Sequence, residues 1–200
     1  MGVYAKKSGK PRRTIDHPAL SRHATSETHH TQSPFHQARM VPPDTLKTTF
    51  DAWNGYHRIA LDPKDRHLTT FITPWGRYRY CVCTQGYIVS GDAYTRRFDE
   101  VVSDINNKTK VIDDTILWSP SIEDSFLQAA KWLDLCGRNS IILHPSKFFF
   151  SKETVNFAGF EITPSTVRPC PQVLEAIKGF PKPDTITDGR SWLGLINQVA

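Results

Sequence analysis

Val111-Ile112-Asp113-Asp114-Thr115-Ile116-Leu117-Trp118 sets two adjacent carboxylates in an otherwise apolar, largely β-branched run. Apolar residues on both sides of the acids predict a hairpin over 110–118 with the Asp pair at its turn. Buried without partners, those two charges would cost several kcal/mol. Two readings remove the cost. The turn faces solvent, or the acids are hard oxygen ligands for Mg²⁺ that also binds substrate phosphates. Two-metal phosphoryl transfer places ions about 4 Å apart and needs at least one carboxylate from another strand. Asp51, in the strand-like run Thr48-Thr49-Phe50-Asp51-Ala52-Trp53, is the natural candidate, although spacing alone does not select it from the 20 acids present.

Outward from this hairpin the period changes. Upstream, Tyr94, Phe98, Val101 and Ile105 recur at helical spacing with Arg96, Arg97, Glu100 and Asp104 opposite, predicting an amphipathic helix from Ser90 to about Asn106. Downstream, Ser121 and Asp124 form a capping box, and Ile122, Phe126, Ala129, Leu133 and Cys136 line a helix that Gly137 ends. Val155 to Ile162 reads as a strand pair, Pro171 opens a short helix, and Thr185 with Asp188 caps a last one from Arg190 to Ala200. Thr69–Thr73 and Arg77–Val82, split by Pro74-Trp75-Gly76, form another hairpin, and Asn54-Gly55 is a turn signal. The first 45 residues, rich in Pro, Ser, Thr and His, read as short strands joined by long loops. The order predicts an α+β fold, an antiparallel sheet with helices packed on one face. The chain stops inside its last predicted helix without a polar C-cap, which reads as a fragment.

At 200 residues and 22.7 kDa the chain has room for one core. No run approaches the ~20 apolar residues of a membrane span, and no apolar signal core follows Met1. These features predict a cytosolic or nuclear chain without a membrane partner. Cys81, Cys83, Cys136 and Cys170 lack paired spacing and are expected as reduced thiols. The net charge of +5 resides in residues 1–50, the remainder being balanced. A one-ended basic excess suggests nucleic acid or nucleotide, and equally suits a solvated tail. His17, His23, His29, His30 and His36 read as polar loop residues rather than metal ligands.

Several ordered blocks narrow the choice: Phe50-Asp51-Ala52-Trp53-Asn54-Gly55-Tyr56-His57, then Asp65-Arg66-His67-Leu68-Thr69-Thr70-Phe71, Pro74-Trp75-Gly76, Gln85-Gly86, Gly91-Asp92-Ala93-Tyr94-Thr95-Arg96-Arg97-Phe98, Ile112-Asp113-Asp114 and Phe157-Ala158-Gly159-Phe160. From about residue 3 to the end, these resemble reverse transcriptases of gypsy-type LTR retrotransposons. The resemblance implies a right-hand polymerase with fingers (1–47 and 60–88), palm (48–59 and 89–163) and the start of a truncated thumb (164–200). It implies an RNA-directed DNA polymerase that adds deoxynucleotides to a primer 3′-hydroxyl, with Asp51 and Asp113 bridging two Mg²⁺ ions (or Mn²⁺) and Asp114 as third acid. Tyr56 resembles the aromatic gate against a ribose 2′-hydroxyl, and Gln85-Gly86 the turn lining the nucleotide pocket. Lys6, Lys7 and Arg12 match cations that hold the triphosphate, Lys147 matches a basic residue behind the pocket, and Phe157-Ala158-Gly159-Phe160 resembles the primer grip.

Implied partners are an RNA or DNA template with primer, deoxynucleoside triphosphates, and the protease, RNase H and integrase of a pol polyprotein outside this chain. The implied location is a cytoplasmic virus-like particle or the nucleus. Each assignment has a plainer counterpart: Tyr56 as a core aromatic, Gln85 as a loop amide, Lys147 as a surface lysine. The chain departs from the family pattern at Val111, where Tyr is usual, at Thr84, where Pro is usual, and at Ser21, where Asn is common. An alternative is a catalytically weak or inactive nucleic-acid-binding remnant. A two-metal nuclease or cyclase accommodates the acids but not Tyr56, Gln85 and the grip-like strand together.

Overall fold

The structure is a computed structural model that describes residues 2–5, 11–15, 17–25, 29, 31–53 and 55–197, with only the backbone described for 2–5 and 11–14. The chain runs through β1 (Gly2–Ala5), β2 (Pro11–Thr14), α1 (Pro18–Arg22), α2 (Pro34–Arg39), β3 (Leu46–Asp51), β4 (Phe71–Thr73), β5 (Gly76–Tyr78) and α3 (Ser90–Val101). There follow β6 (Lys108–Val111), β7 (Asp114–Ser119), α4 (Ile122–Arg138), β8 (Phe149–Lys152), β9 (Val155–Phe157), β10 (Phe160–Ile162), β11 (Val167–Pro169), α5 (Pro171–Lys178) and α6 (Ile186–Asn197).

A four-stranded antiparallel sheet in the order β6-β7-β3-β8 is the centre of the molecule. Its middle pair, β3 and β7, is in register from Leu46 opposite Ser119 to Asp51 opposite Asp114. Successive side chains of a strand face opposite ways, and here both directions are apolar. On one face Phe50 and Leu117 pack with Phe98 of α3 and with Ala129, Trp132 and Cys136 of α4. Trp132 is the keystone of this core, its ring 5.7 Å from both Phe50 and Phe98. On the other face Ile116 and Trp118 meet Ala38 and Val41 at the end of α2 and Val155, Phe157, Phe160 and Ile162 of the small sheet β9-β10-β11. Burial on both faces explains the unbroken apolar run Ile116-Leu117-Trp118.

The two long helices cover one face of the sheet, as expected. The second cover, from α2 and the small sheet, has no counterpart in the sequence patterns. Helices α1 and α2 also correct the expectation of strands and loops in the first 45 residues. Both begin with Pro at the first helical position, where the missing N–H costs nothing, and Ser33 Oγ accepts the His36 N–H to cap α2. Helix α3 stops at Val101 rather than near Asn106. Val102 and Ile105 stay in the core because the chain turns there, Ile105 N–H donating to the Val102 carbonyl at 3.1 Å. The Thr185–Asp188 capping box forms as expected, but its helix starts at Ile186 instead of Arg190.

One buried cation belongs to this framework. Lys47 is fully buried, and its Nζ donates to the carbonyls of Thr45 at 2.8 Å and Glu153 at 2.9 Å, tying β3 to the strand connection beyond β8. Burial lowers its pKa. The four cysteines are free thiols, as expected. Among the described residues no helix is long and apolar enough to cross a membrane.

Replacing Trp132 by Ala is expected to cost ~3–5 kcal/mol of stability. Phe126→Ala, on the exposed side of the same helix, should stay within about 0.5 kcal/mol. Urea unfolding distinguishes them, and equal losses would place the core elsewhere.

Candidate active site

The sheet brings the acids together at one end. Asp51, last residue of β3, lies directly across from Asp114, first residue of β7. The Ala52 N–H donates to the Asp113 carbonyl at 2.9 Å, carrying the pairing one step past the strands and clamping the turn. That turn has two residues, Ile112 and Asp113, between the paired Val111 and Asp114. Ile112 sits at φ 53° in the left-handed region, which costs a β-branched residue about 1–3 kcal/mol. Its half-exposed side chain gains little in return.

Behind the acids, the segment after α4 folds back on β3. The Trp53 N–H donates to Ile142 O at 2.7 Å, and the His144 N–H to Asp51 O at 2.8 Å. A single 3-10 turn, Pro145–Lys147, then directs the Lys147 ammonium onto Asp51 Oδ2. The hydrogen bond to Asp51 and the charges of all three acids raise the Lys147 pKa, so the group stays protonated. Burial, then the Asp51 carboxylate opposite, hold Asp114 up at about 6. Burial and the Asp51 charge also raise Asp113, while the Tyr94 hydroxyl, Lys110 and Lys147 pull it back.

This excess of negative charge in a partly desolvated corner, built from hard carboxylate oxygens, fits a divalent cation. As they stand, no three His, Cys, Asp or Glu side chains among the described residues converge tightly enough to enclose an ion; the Lys147 ammonium is the nearest counter-charge to Asp51. The cross-strand partner of Asp51 is Asp114, whereas Asp113 lies in the turn and faces Tyr94.

Tyr94 joins this cluster to a cavity. Its ring lies 5.4 Å from that of Tyr56. Its hydroxyl points toward Asp113, yet neither Tyr94 Oη nor Asp113 Oδ1 has a hydrogen-bond partner of good geometry among the described residues. Burial, then the nearby Asp113 charge, push the phenol far above its ordinary pKa, leaving it a neutral O–H. The close approach requires Gly55, because a Cβ there would stand 2.3 Å from Tyr94 Cζ. Beside Tyr56 opens a cavity of about 350 Å³, lined by Thr84, Gln85, Gly86, Tyr87, Ser90 and Gly91. Gly86, at φ 91°, makes the turn that only glycine adopts freely, and its carbonyl accepts the His17 N–H at 3.2 Å.

The structure thus gathers Asp51, Asp113, Asp114 and Lys147, with Tyr56, Gln85 and Gly86 next to them through Tyr94. Lys6 and Lys7 lie outside the described residues. Arg12 is on β2 opposite Tyr4, its side chain likewise outside what is described. Phe157 and Phe160 point into the second core; between them Ala158 (φ 48°) and Gly159 (φ 90°) make the tight two-residue turn of a hairpin. What this turn offers a ligand is backbone, not the Phe rings. Sequence reasoning missed Tyr94 and Gly55. The available signal was a hydroxyl on an otherwise apolar helix face, where Phe would pack equally well.

Comparison with known proteins decides the family. The model of the family "Reverse transcriptase (RNA-dependent DNA polymerase)" matches residues 5–162. The chain belongs to the reverse transcriptase family. An enzymatic polyprotein of Cauliflower mosaic virus (strain D/H) is 28% identical over 199 residues, 98% of this chain and 29% of the relative. The retrovirus-related Pol polyprotein from transposon gypsy of Drosophila melanogaster is 29% identical over 150 residues, 74% of this chain and 14% of the relative. The chain therefore spans under a third of the length of these relatives. Among solved structures, a foamy viral protease-reverse transcriptase in complex with double-stranded DNA superposes with a TM-score of 0.87 at 19% identity, over 98% of this chain and 34% of that one. The foamy viral protein in complex with an RNA/DNA hybrid gives a TM-score of 0.79 at 19% identity, over 98% of this chain and 26% of the other. The reverse transcriptase fold, with its α+β fingers and palm, accounts for the architecture described above.

Two outcomes follow from the geometry. Asp114 binds its proton more tightly folded than unfolded, so without metal its contribution to stability is complete below the ordinary pKa of 3.8 and is lost as pH rises through about 6, and Asp113 is shifted in the same direction. A metal-free melting series across that window should fall with pH, and Asp114→Asn should flatten it; a rise with pH would contradict these electrostatics. Gly55→Ala should destabilise by ~1–3 kcal/mol through overpacking against Tyr94. In a Tyr94→Ala background the same change should be nearly neutral, and additivity in that double-mutant cycle would show the contact to be unimportant.

Proposed function

We propose that the chain carries the polymerase site of an RNA-directed DNA polymerase, which joins deoxynucleotides to a primer 3′-hydroxyl on an RNA or DNA template. The observation that carries this is the pairing of Asp51 with Asp114 across two strands, with Asp113 in the adjoining turn, next to a cavity walled by Tyr56, Gln85 and Gly86. Family membership supports it, as do the nucleic acids in the complexes of the foamy viral neighbours. We read residues 1–47 and 60–88 as fingers, 48–59 and 89–163 as palm, and 164–200 as the start of a thumb. The length of the polyprotein relatives supports further domains elsewhere in the intact product, which we read as a protease, RNase H or integrase; we also read a cytoplasmic particle or the nucleus as its place of work.

Asp51, Asp113 and Asp114 would hold the two Mg²⁺ ions, with Mn²⁺ as an alternative. Bound there, such ions neutralise the triphosphate and acidify the attacking hydroxyl. Lys147 keeps its proton and sets a positive charge at the rim of the acid cluster, able to turn from Asp51 toward a phosphate oxygen. Tyr94 holds its O–H toward Asp113 and limits the ways that carboxylate can rotate. Tyr56 presents an aromatic edge where the sugar of an incoming nucleotide would lie, so a 2′-hydroxyl would meet a ring. Gln85 and Gly86 offer an amide and a backbone turn to the base and sugar. Lys6, Lys7 and Arg12 would clamp the triphosphate, Arg by its fork and Lys as a point charge. The turn at Ala158-Gly159 would support the primer strand through its backbone.

Primer extension with Mg²⁺ tests the reading. Asp113→Asn should reduce extension to background while leaving primer-template affinity nearly unchanged, because affinity comes mainly from phosphate contacts. Tyr56→Ala should raise ribonucleotide incorporation more than it lowers total synthesis. A chain that binds primer-template but never extends it, with or without these changes, would match a binding remnant instead.

A further inference from the structure

The hairpin β4–β5 takes no part in the site described above. Between Arg66 and Gly91 the sequence has no Asp or Glu, while Arg77 and Arg79 alternate with Tyr78 and Tyr80. The pairing Phe71–Tyr78, Ile72–Arg77 and Thr73–Gly76 sorts the side chains. Phe71 and Tyr78 stack with centroids 6.0 Å apart, and Phe71 meets Tyr80 at 5.5 Å. Ile72 and Arg77 take the opposite face with Arg79 following in the same alternation, and all three are exposed. Neither Arg77 nor Arg79 meets a carboxylate among the described residues.

At the tip stands Trp75, 84% exposed. Its mount is nonetheless ordered: Thr73 Oγ1 accepts the Trp75 N–H at 3.2 Å and donates to Gly76 O at 3.2 Å. The root is fixed as well, since the Tyr80 N–H donates to the buried Thr69 Oγ1 at 3.0 Å. Tyr80 stacks on His57, 6.3 Å away and 11° from parallel. His57 follows Tyr56 of the cavity wall, so the root of the hairpin is anchored beside that wall.

An exposed Trp on a hydrogen-bonded mount, flanked by guanidiniums that meet no carboxylate among the described residues, has the composition of a single-strand stacking platform. We propose that Trp75, with Arg77 and Arg79, binds the unpaired template strand before it enters the site: a base stacks on the indole and the two arginines hold adjacent phosphates. The nature of the partner rests on the polymerase reading above. Trp75 shares the hairpin with exposed Ile72 and Tyr78, and the guanidiniums of Arg77 and Arg79, with no acid between Arg66 and Gly91, favour a polyanion over a second copy of the chain.

The test is anisotropy binding of the unaltered 200-residue chain to two labelled probes, a blunt DNA duplex and the same duplex with a 5′ single-stranded template overhang. The overhang should tighten binding, and Trp75→Ala should remove about tenfold of affinity for that probe while changing blunt-duplex affinity less than about twofold. Trp75→Phe, which keeps a ring, should retain most of the gain. Arg77→Ala with Arg79→Ala should lower the salt slope for the overhang probe by about one to two. Equal losses on both probes, or none on the overhang, would overturn the proposal while leaving the polymerase reading standing. Loss of self-association in Trp75→Ala with overhang affinity intact would overturn it in favour of a contact between copies. Failure of the unaltered chain to bind either probe would overturn both readings.

Discussion

Asp51 and Asp114 face each other across the central strand pair, an arrangement that repels when both are ionised. The surrounding structure holds them there. Two separate cores grip the same two strands, one from the α3–α4 side and one from α2 and the small sheet. The Lys147 ammonium lies on Asp51, and the Asp113 turn is clamped by the Ala52 N–H. A sheet packed on one face only would leave the ends of β3 and β7 freer to splay apart. Burial on both faces converts a repulsive pair into a fixed electrostatic feature, ready for a cation.

The same logic explains the neighbourhood of Tyr94. A helix side chain reaches from α3 to the acids because Gly55 leaves room for its ring, and the ring in turn supports Tyr56 at the cavity. Packing and chemistry are thus one contact network here. The turn Ile112-Asp113 carries backbone strain that nothing in the core relieves, as often happens where geometry serves a ligand rather than stability.

Much of this is legible in the sequence. The hairpin around Asp113-Asp114, the Ser121 and Thr185 caps and helix α3 follow from local rules, so they survive folding with shifts of a few residues at their ends; the inward face of α4 does not, since Ile122, Phe126 and Leu133 are exposed while Ser125 and Trp132 join Ala129 and Cys136 inside. Helices α1 and α2 escape those rules because Pro, His and Ser mask periodicity, although Ser33-Pro34 is itself a helix start. The approach of Lys147 to Asp51 spans 96 positions of sequence, and no local pattern encodes such a meeting; family resemblance places the lysine near the pocket without naming its partner. By periodicity Tyr94 is one apolar position among several. Its hydroxyl acquires meaning only when the turn after β6 arrives beside it.

The strand order β6-β7-β3-β8 has a consequence for how the chain is made. β3 sits in the interior of the sheet, yet both of its neighbours come later in the sequence, and Thr49 pairs with Phe149. At roughly 5–20 residues per second of synthesis, a strand that ends up buried waits on the order of 5–20 seconds for its second partner. Contacts of such long range are also slow to close once available. During that interval one edge of Thr48-Thr49-Phe50 is an uncovered template for other strands, open to mispairing until β8 has been made.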